Sequence, residues 1–195
     1  MKLVRGLGIL RRRLAEQGFR VTAWWAADHA VRIITGAPLK RVSQITPRLH
    51  VGGQYRHRGW PRMKTRGITA VVNMRVEFDD QEAGIAPPRY LHLRVVDDQA
   101  PTLEQLGMGC AFIAEEVARE GVVYVHCGSG IGRAATMAAA YLISAGRTEE
   151  DAWAAIRASR PFVRPTPPQL EQIQRYAAVI AGQEHGGQQQ GQDNG

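Results

Sequence analysis

The sequence predicts an α/β fold: one domain with a central, mainly parallel (mixed) sheet flanked by helices, preceded by a helical extension. Three observations carry this. From about Leu39, short runs of β-branched and aliphatic residues alternate with helical patterns. Helix-opening caps stand where those patterns begin. A chain of 195 residues, 44% of them hydrophobic, is enough for one buried core.

Residues 1–38 form the extension. "MKLVRGLGILRRRLAEQGFR" sets Leu3, Leu7, Leu10 and Leu14 on one helix face, with Arg5, Arg12 and Arg13 for the other sides. Gly6 and Gly8 weaken it, each costing roughly 1 kcal/mol against alanine. Arg5 and Arg11–Arg13 interrupt what would be a signal peptide, although an Arg-rich, acid-poor leader also fits a transit peptide. "VTAWWAADHAVRIITG" is too short and too charged to span a bilayer. Trp24 and Trp25 either anchor at a lipid headgroup layer or pack onto the domain, and the second reading is preferred. Residues 1–34 are thus the candidate for peripheral membrane contact.

Residues 39–181 hold the domain proper. "RLHVGG" (48–53), "TAVVNM" (69–74), "YLHLRVV" (90–96) and "VVYVHC" (122–127) read as strands, with room for an antiparallel strand early on. Thr102 with Gln105 opens a helix whose stripe is Leu106, Cys110, Ile113 and Val117, which makes Cys110 a core residue. A second helix follows Arg133 and ends near Gly146. A third starts at Thr148 with Asp151 in the reciprocal cap position, and a fourth follows "RPTPPQ" to about Ala181. The polar, glycine-rich residues 182–195 read as a disordered tail.

Two cysteines, Cys110 and Cys127, are too few for a disulfide framework and have no metal-ligand spacing to a His pair. A reducing compartment, no metal and a cytoplasmic or membrane-peripheral protein follow as expectations. The net charge of +7 is uneven: up to Val76, 16 Lys and Arg face only Glu16 and Asp28, whereas the remainder carries 9 against 16. That asymmetry points to an anionic partner, or simply to an Arg-rich composition, since 22 of the 25 basic residues are Arg. Arg56, Arg58, Trp60 and Arg62 interleave charge with an aromatic ring, but no nucleic-acid module is recognisable, and nucleic acid ranks last among the partners.

"VYVHCGSGIGRAAT" (123–136) carries the chemistry. A cysteine stands at the carboxyl end of a strand, where open α/β sheets bind ligands. The N–H groups of Gly128, Ser129, Gly130, Ile131, Gly132 and Arg133 then turn into a helix, a cradle for an oxyanion. Glycines 128, 130 and 132 make the curvature possible. Arg133 adds a guanidinium fork for two phosphate oxygens. The same field favours a thiolate, because helix termini and nearby cations bring cysteine from about 8.5 to roughly 3.5–7.5. A buried thiol in a glycine turn is the competing reading. Cleaving a phosphate ester also needs an acid for the leaving oxygen, and "VVDDQAP" offers Asp97, the preferred one, and Asp98.

"VHCGSGIGRAAT" resembles the His-Cys-x5-Arg signature of the protein tyrosine phosphatase superfamily, and residues 42–176 look like its dual-specificity branch. "VVDDQAP" is similar to that branch's acid loop, "FVRPTPPQLEQIQRY" to its arginine-proline segment and "ITPRLHVGGQ" to its first strand. "VVDDQAPTLEQL", "VYVHC", "AATMAAAYLI" and "NMRVEFDD" look most like the mitochondrial-type phosphatases that act on phosphatidylglycerophosphate, whose acidic-aromatic segment corresponds to Glu77, Phe78 and Asp79. The resemblance implies attack on phosphorus by Cys127, protonation of the leaving oxygen by Asp97, hydrolysis of a phosphocysteine, loop support from His126, and no cofactor. Substrates would be phosphorylated proteins or phospholipids. Ala134 departs from the family's hydroxyl residue after the arginine, so a slow or inactive phosphate-binding relative is the alternative. Oligomeric state is not readable.

Overall fold

Strands β1 (Gln44–Thr46), β2 (Leu49–Gly53), β3 (Ile68–Asn73), β4 (Arg89–His92) and β5 (Val122–Cys127) form one sheet in the order β1-β2-β5-β3-β4. The structure is a computed structural model describing residues 2–190, with side chains for residue 8 and residues 11–182. Only β1 is antiparallel. β5 lies between β2 and β3, with Gly53 opposite Cys127 and Asn73 opposite His126. Its apolar run suits a strand buried on both faces.

The helices are α1 (Lys2–Thr35), α2 (Trp60–Lys64), α3 (Leu103–Ala118), α4 (Arg133–Ser144), α5 (Glu149–Ser159) and α6 (Pro167–Gln190). One sheet face carries Leu49, Val51, Val72, Val123 and Val125 into the main core with α3 to α6. The other packs Val71 and Tyr124 against Tyr55, Met63 and Ala37. α4 is apolar nearly all round and is buried accordingly, from Arg133 through Ala140. The Thr102–Gln105 capping box is present, and Thr148 accepts from the Asp151 amide.

Several boundaries differ from the sequence reading. β4 stops at His92, because Val95 turns its N–H back to the Leu93 carbonyl instead of continuing the ladder. α6 runs on to Gln190, past Ala181, and residues 191–195 of the expected tail lie outside the described residues. Short α2 had no clear sequence signal, and its Trp60 is half-buried against Tyr55 at 5.7 Å between rings. α1 is broken at Gly18 (φ 78°, ψ 170°). The side chains of Leu3, Leu7 and Leu10 lie outside the described residues, and Leu14 is exposed. Trp24 is covered by Arg41 of the domain at 4.9 Å, the packing alternative. No helix among the described residues is long and apolar enough to cross a membrane.

Candidate active site

The parallel register of β5 places Cys127 at the carboxyl edge of the sheet, and the six residues that follow lead into α4. Every carbonyl of the loop is held from outside it. Gly128 O accepts from Gln54 N and Arg32 Nη1, both at 3.1 Å. Arg160 donates through Nη2 to Ser129 O (2.8 Å) and through Nε to Gly130 O (2.6 Å). Arg164 N reaches Ile131 O, and the Thr136 amide and hydroxyl reach Gly132 O.

In planar trans peptides a carbonyl and the next amide point in opposite directions, and there are no cis bonds here. Pinning carbonyls 128–132 outward therefore turns the N–H groups of 129–133 to the inner side. Gly130 N–H marks that side by donating to Cys127 Sγ at 3.2 Å.

The glycines have unequal tasks. Gly130 has φ +68°, and a Cβ there would collide with the Gly52 backbone. Gly132 leaves room for the Gln169 side chain. Gly128 has neither a left-handed φ nor a close neighbour for a Cβ, so the curvature assigned to all three rests mainly on Gly130.

Cys127, Ser129, Ile131, Gly132, Arg133, Asp97 and Asp98 line one cavity of about 610 Å³. Arg133 is buried and donates from Nη1 to Val95 O (2.7 Å), while Glu77 takes both Nη atoms at 2.8 and 2.9 Å. Asp97 Oδ1 stands 2.7 Å from Nη2, with its side chain 76% exposed. Asp98 adopts φ 60° and its carbonyl is tied to the Thr166 hydroxyl. Arg133 Nε is buried with no hydrogen-bond partner among the described residues.

Burial opposes the Arg133 charge, but Glu77, Cys127 and Asp97 outweigh it and raise the pKa above the usual value. In return the Arg133 hydrogen bond, helped by Arg75 against partial burial, pulls the Glu77 carboxyl down to about 2.

His126 lies behind the loop rather than in the cavity. Its Nε2 is 2.6 Å from Asp80 Oδ2, both side chains fully buried, and Gln54 Nε2 also donates to Asp80. Ala134 is buried and brings no hydroxyl, while that of Thr136 is committed to Gly132 O. Among the described residues no His, Cys, Asp and Glu cluster is set to hold a metal ion.

The chain is similar to known phosphatases in sequence and in fold. Residues 53–147 match the family model of the polymorphic toxin system DSP-PTPase phosphatases. Human phosphatidylglycerophosphatase and protein-tyrosine phosphatase 1 is 31% identical over 127 residues, which is 60% of this chain and 63% of that protein. A crystal structure of PTPMT1 in complex with PI(5)P superposes with a TM-score of 0.67 at 28% identity, covering 72% of this chain and 97% of that one. Over the matched residues the chain is similar to dual-specificity phosphatases of the protein tyrosine phosphatase superfamily.

Rat protein phosphatase Slingshot homolog 3 is 30% identical over 144 residues, 72% of this chain. The chain spans only 22% of that relative.

The structure brings the cysteine loop and Asp97 and Asp98 to one cavity, as the sequence suggests, and adds partners that the sequence does not point to. In the sequence Glu77 stands out only as part of an acidic segment and Asp28 and Arg32 only as charges in the extension, while Asp80, Gln54 and Arg160 carry no mark of a role. Asp28 is buried in α1, 3.2 Å from Arg160 Nη2 and 4.0 Å from Arg32 Nε. One signal was available: Asp28 and Arg32 are i,i+4 charges inside the apolar run "WWAADHAVRII".

Proposed function

We propose that the protein is a cysteine-dependent phosphatase that hydrolyses phosphate monoesters. The observation that carries this is the convergence, in one cavity, of Cys127 Sγ, five inward amides, the Arg133 fork and the Asp97 carboxyl. The phosphate takes the N–H groups of 129–133 together with Arg133 Nε and Nη2, one guanidinium fork whose positive charge offsets part of the dianion. Sulfur attacks phosphorus in line while the ester oxygen leaves with a proton from Asp97. Water then cleaves the phosphocysteine, giving up its proton to Asp97, and inorganic phosphate departs.

Asp97 is preferred over Asp98 as the acid because its carboxyl already stands at Arg133, and a bound phosphate that takes Nη2 releases it toward the leaving oxygen. His126, held by Asp80, supports the loop from behind. Substrates are phosphorylated proteins or phospholipids. Residues 1–38 work as part of the catalytic unit, since Asp28 and Arg32 reach the loop and its anchor. Exposed Phe19, Ile33 and Ile34, with exposed Arg20, support peripheral contact of α1 with anionic lipid.

Phosphate release from an aryl phosphate, phosphopeptides and phosphatidylglycerophosphate tests the reading, with Cys127→Ser as the blank. The wild-type protein releases phosphate and the variant does not; equal release from both overturns it. Ala134 favours one second reading, a phosphate-binding protein that stalls at the phosphocysteine. A single burst of product without further turnover supports that reading.

A further inference from the structure

The segment between β3 and β4 holds the anion site at two points. Glu77 grips both Nη atoms of Arg133, and Asp80 meets His126 behind the loop. The segment is itself held by Tyr90 and His92 of β4, which the reaction does not use. The Tyr90 hydroxyl accepts from Asn73 Nδ2 and from Asp80 N, both at 3.1 Å, so its own proton goes to Asp79 Oδ1 at 2.9 Å. His92 places Nδ1 3.0 Å from Asp79 Oδ2 and Nε2 2.6 Å from Arg75 O, with its side chain only 12% exposed.

Both partners of the His92 ring are acceptors. A main-chain carbonyl has no proton to give. Asp79 has none either, since its Oδ1 already takes the Gln81 N–H and the Tyr90 hydroxyl. Partial burial opposes the Asp79 charge, but those two donors and His92 outweigh it and hold the carboxyl below its usual range. Neutral imidazole carries one N–H and imidazolium carries two, so His92 satisfies both acceptors only when charged. Around it stand Asp79 in contact, Arg94 reaching the same carboxylate at 3.9 Å, Tyr90 at 6.0 Å between rings, and Arg75, whose guanidinium is spent on Glu77 and Gln54.

The two contacts matter because of where they fall in the chain. Arg75 and Asp79 flank Glu77, two residues to either side. One ring thus clamps both ends of the stretch that presents Glu77 to Arg133, and a neutral ring lets one end go. We propose that His92 is a positioning residue for the Arg133 fork: charged, it clamps Glu77 in place, and the cradle then holds an oxyanion more tightly than when His92 is neutral. This rests on the anion cradle of the phosphatase reading and adds a dependence on pH that the reaction itself does not require.

Nitrogen-15 NMR of the whole chain carrying Cys127→Ser, titrated with sulfate between about pH 5.5 and pH 8.5, tests the clamp without turnover. Sulfate keeps one charge over that range, whereas a phosphate ester gains a proton near about pH 6. The His92 ring nitrogens report its protonation, and the Arg133 Nε signal reports the anion. Both ring nitrogens should be protonated at the acid end. Sulfate affinity should fall roughly threefold to tenfold as the ring loses its proton, the worth of one hydrogen bond. By linkage, saturating sulfate should move the His92 titration to higher pH by the same factor. His92→Gln should bind with the weaker affinity throughout and lose the step. Tyr90→Phe, which removes a brace that does not titrate in this range, should weaken binding and keep the step.

A step that persists in His92→Gln belongs to another group, such as His126, and overturns the clamp. So does a His92 ring with a single protonated nitrogen at the acid end, or a step that Tyr90→Phe also abolishes, which makes the role merely structural. If His92→Gln fails to fold, a wild-type affinity step whose midpoint differs from that of the ring overturns the clamp, and coincidence supports it. Absence of sulfate binding overturns clamp and cradle together. Release from an aryl phosphate by the wild-type protein separately decides the phosphatase reading: with the step present and no release, the clamp stands and the phosphatase falls.

Discussion

Asp97 and Asp98 are neighbours with the same side chain, yet the backbone gives them different surroundings. Asp97 faces Arg133, whereas Asp98, at φ 60°, is turned toward Thr166. Asp97→Asn is expected to lower kcat about 10²–10⁴-fold on alkyl esters, and less on an aryl phosphate whose leaving group needs no proton. Asp98→Asn, compatible with a left-handed φ, should change both by no more than about threefold. Steady-state rates on the two esters check this, and the opposite ranking would move the acid to Asp98.

Glu77 carries a pH signature. Its carboxyl titrates at about 2 in the folded protein, against an ordinary 4.5, so its stabilisation is complete above about pH 4.5 and disappears as pH falls toward 2. The side chain is 39% exposed, so solvent screening keeps the effect modest. Urea unfolding from pH 6 to pH 2.5 should show a smaller acid loss for Glu77→Gln than for the wild type. At this scale the contiguous part of the site was readable, because Cys127 to Arg133 are adjacent in the chain. Glu77 with Arg133 and Asp80 with His126 were not, since each pair is some fifty residues apart and no local periodicity links them.

The helices divide along the same line. α3 and α5 were legible from Thr102 with Gln105 and Thr148 with Asp151, since a cap is a contract among four successive residues. α1 was legible as a helix but not as a part of the site. What it contributes passes through Asp28, which neutralises the fully buried Arg160, and through Arg32, which holds Gly128 O. Asp28→Ala would leave Arg160 buried without its carboxylate, a loss of roughly 3–5 kcal/mol when one member of a buried pair is removed. Denaturant unfolding measures that directly. Phosphate affinity of the milder Asp28→Asn variant, measured in the Cys127→Ser background, should also fall, because Arg160 anchors Ser129 and Gly130.

Across the whole molecule, alternation of strand and helix was enough to announce a parallel sheet, but not its order. β5 inserts between β2 and β3, and that crossover brings Cys127 beside Gly53 and Gly128 O within reach of Arg32, 96 residues earlier in the chain. The cationic first half resolves into two populations: Arg32 and Arg75 are tied up inside the fold, while Arg12 and Arg13 stand at the cavity mouth.

The break at Gly18 separates these duties mechanically. φ 78° with ψ 170° is a conformation essentially reserved for glycine, so residues 2–17 and 19–35 are two levers on one pivot. The inner lever is bolted to the cysteine loop, and the outer one is held over its entrance by Glu16 with Arg164 and by Arg13 on the Trp25 ring. Gly18→Ala would favour a straight rod and part Glu16 from Arg164, which should lower the midpoint of denaturant unfolding slightly and raise the helical signal in circular dichroism. A single hinge residue thus decides whether the amino-terminal turns roof the entrance or leave it open to the solvent.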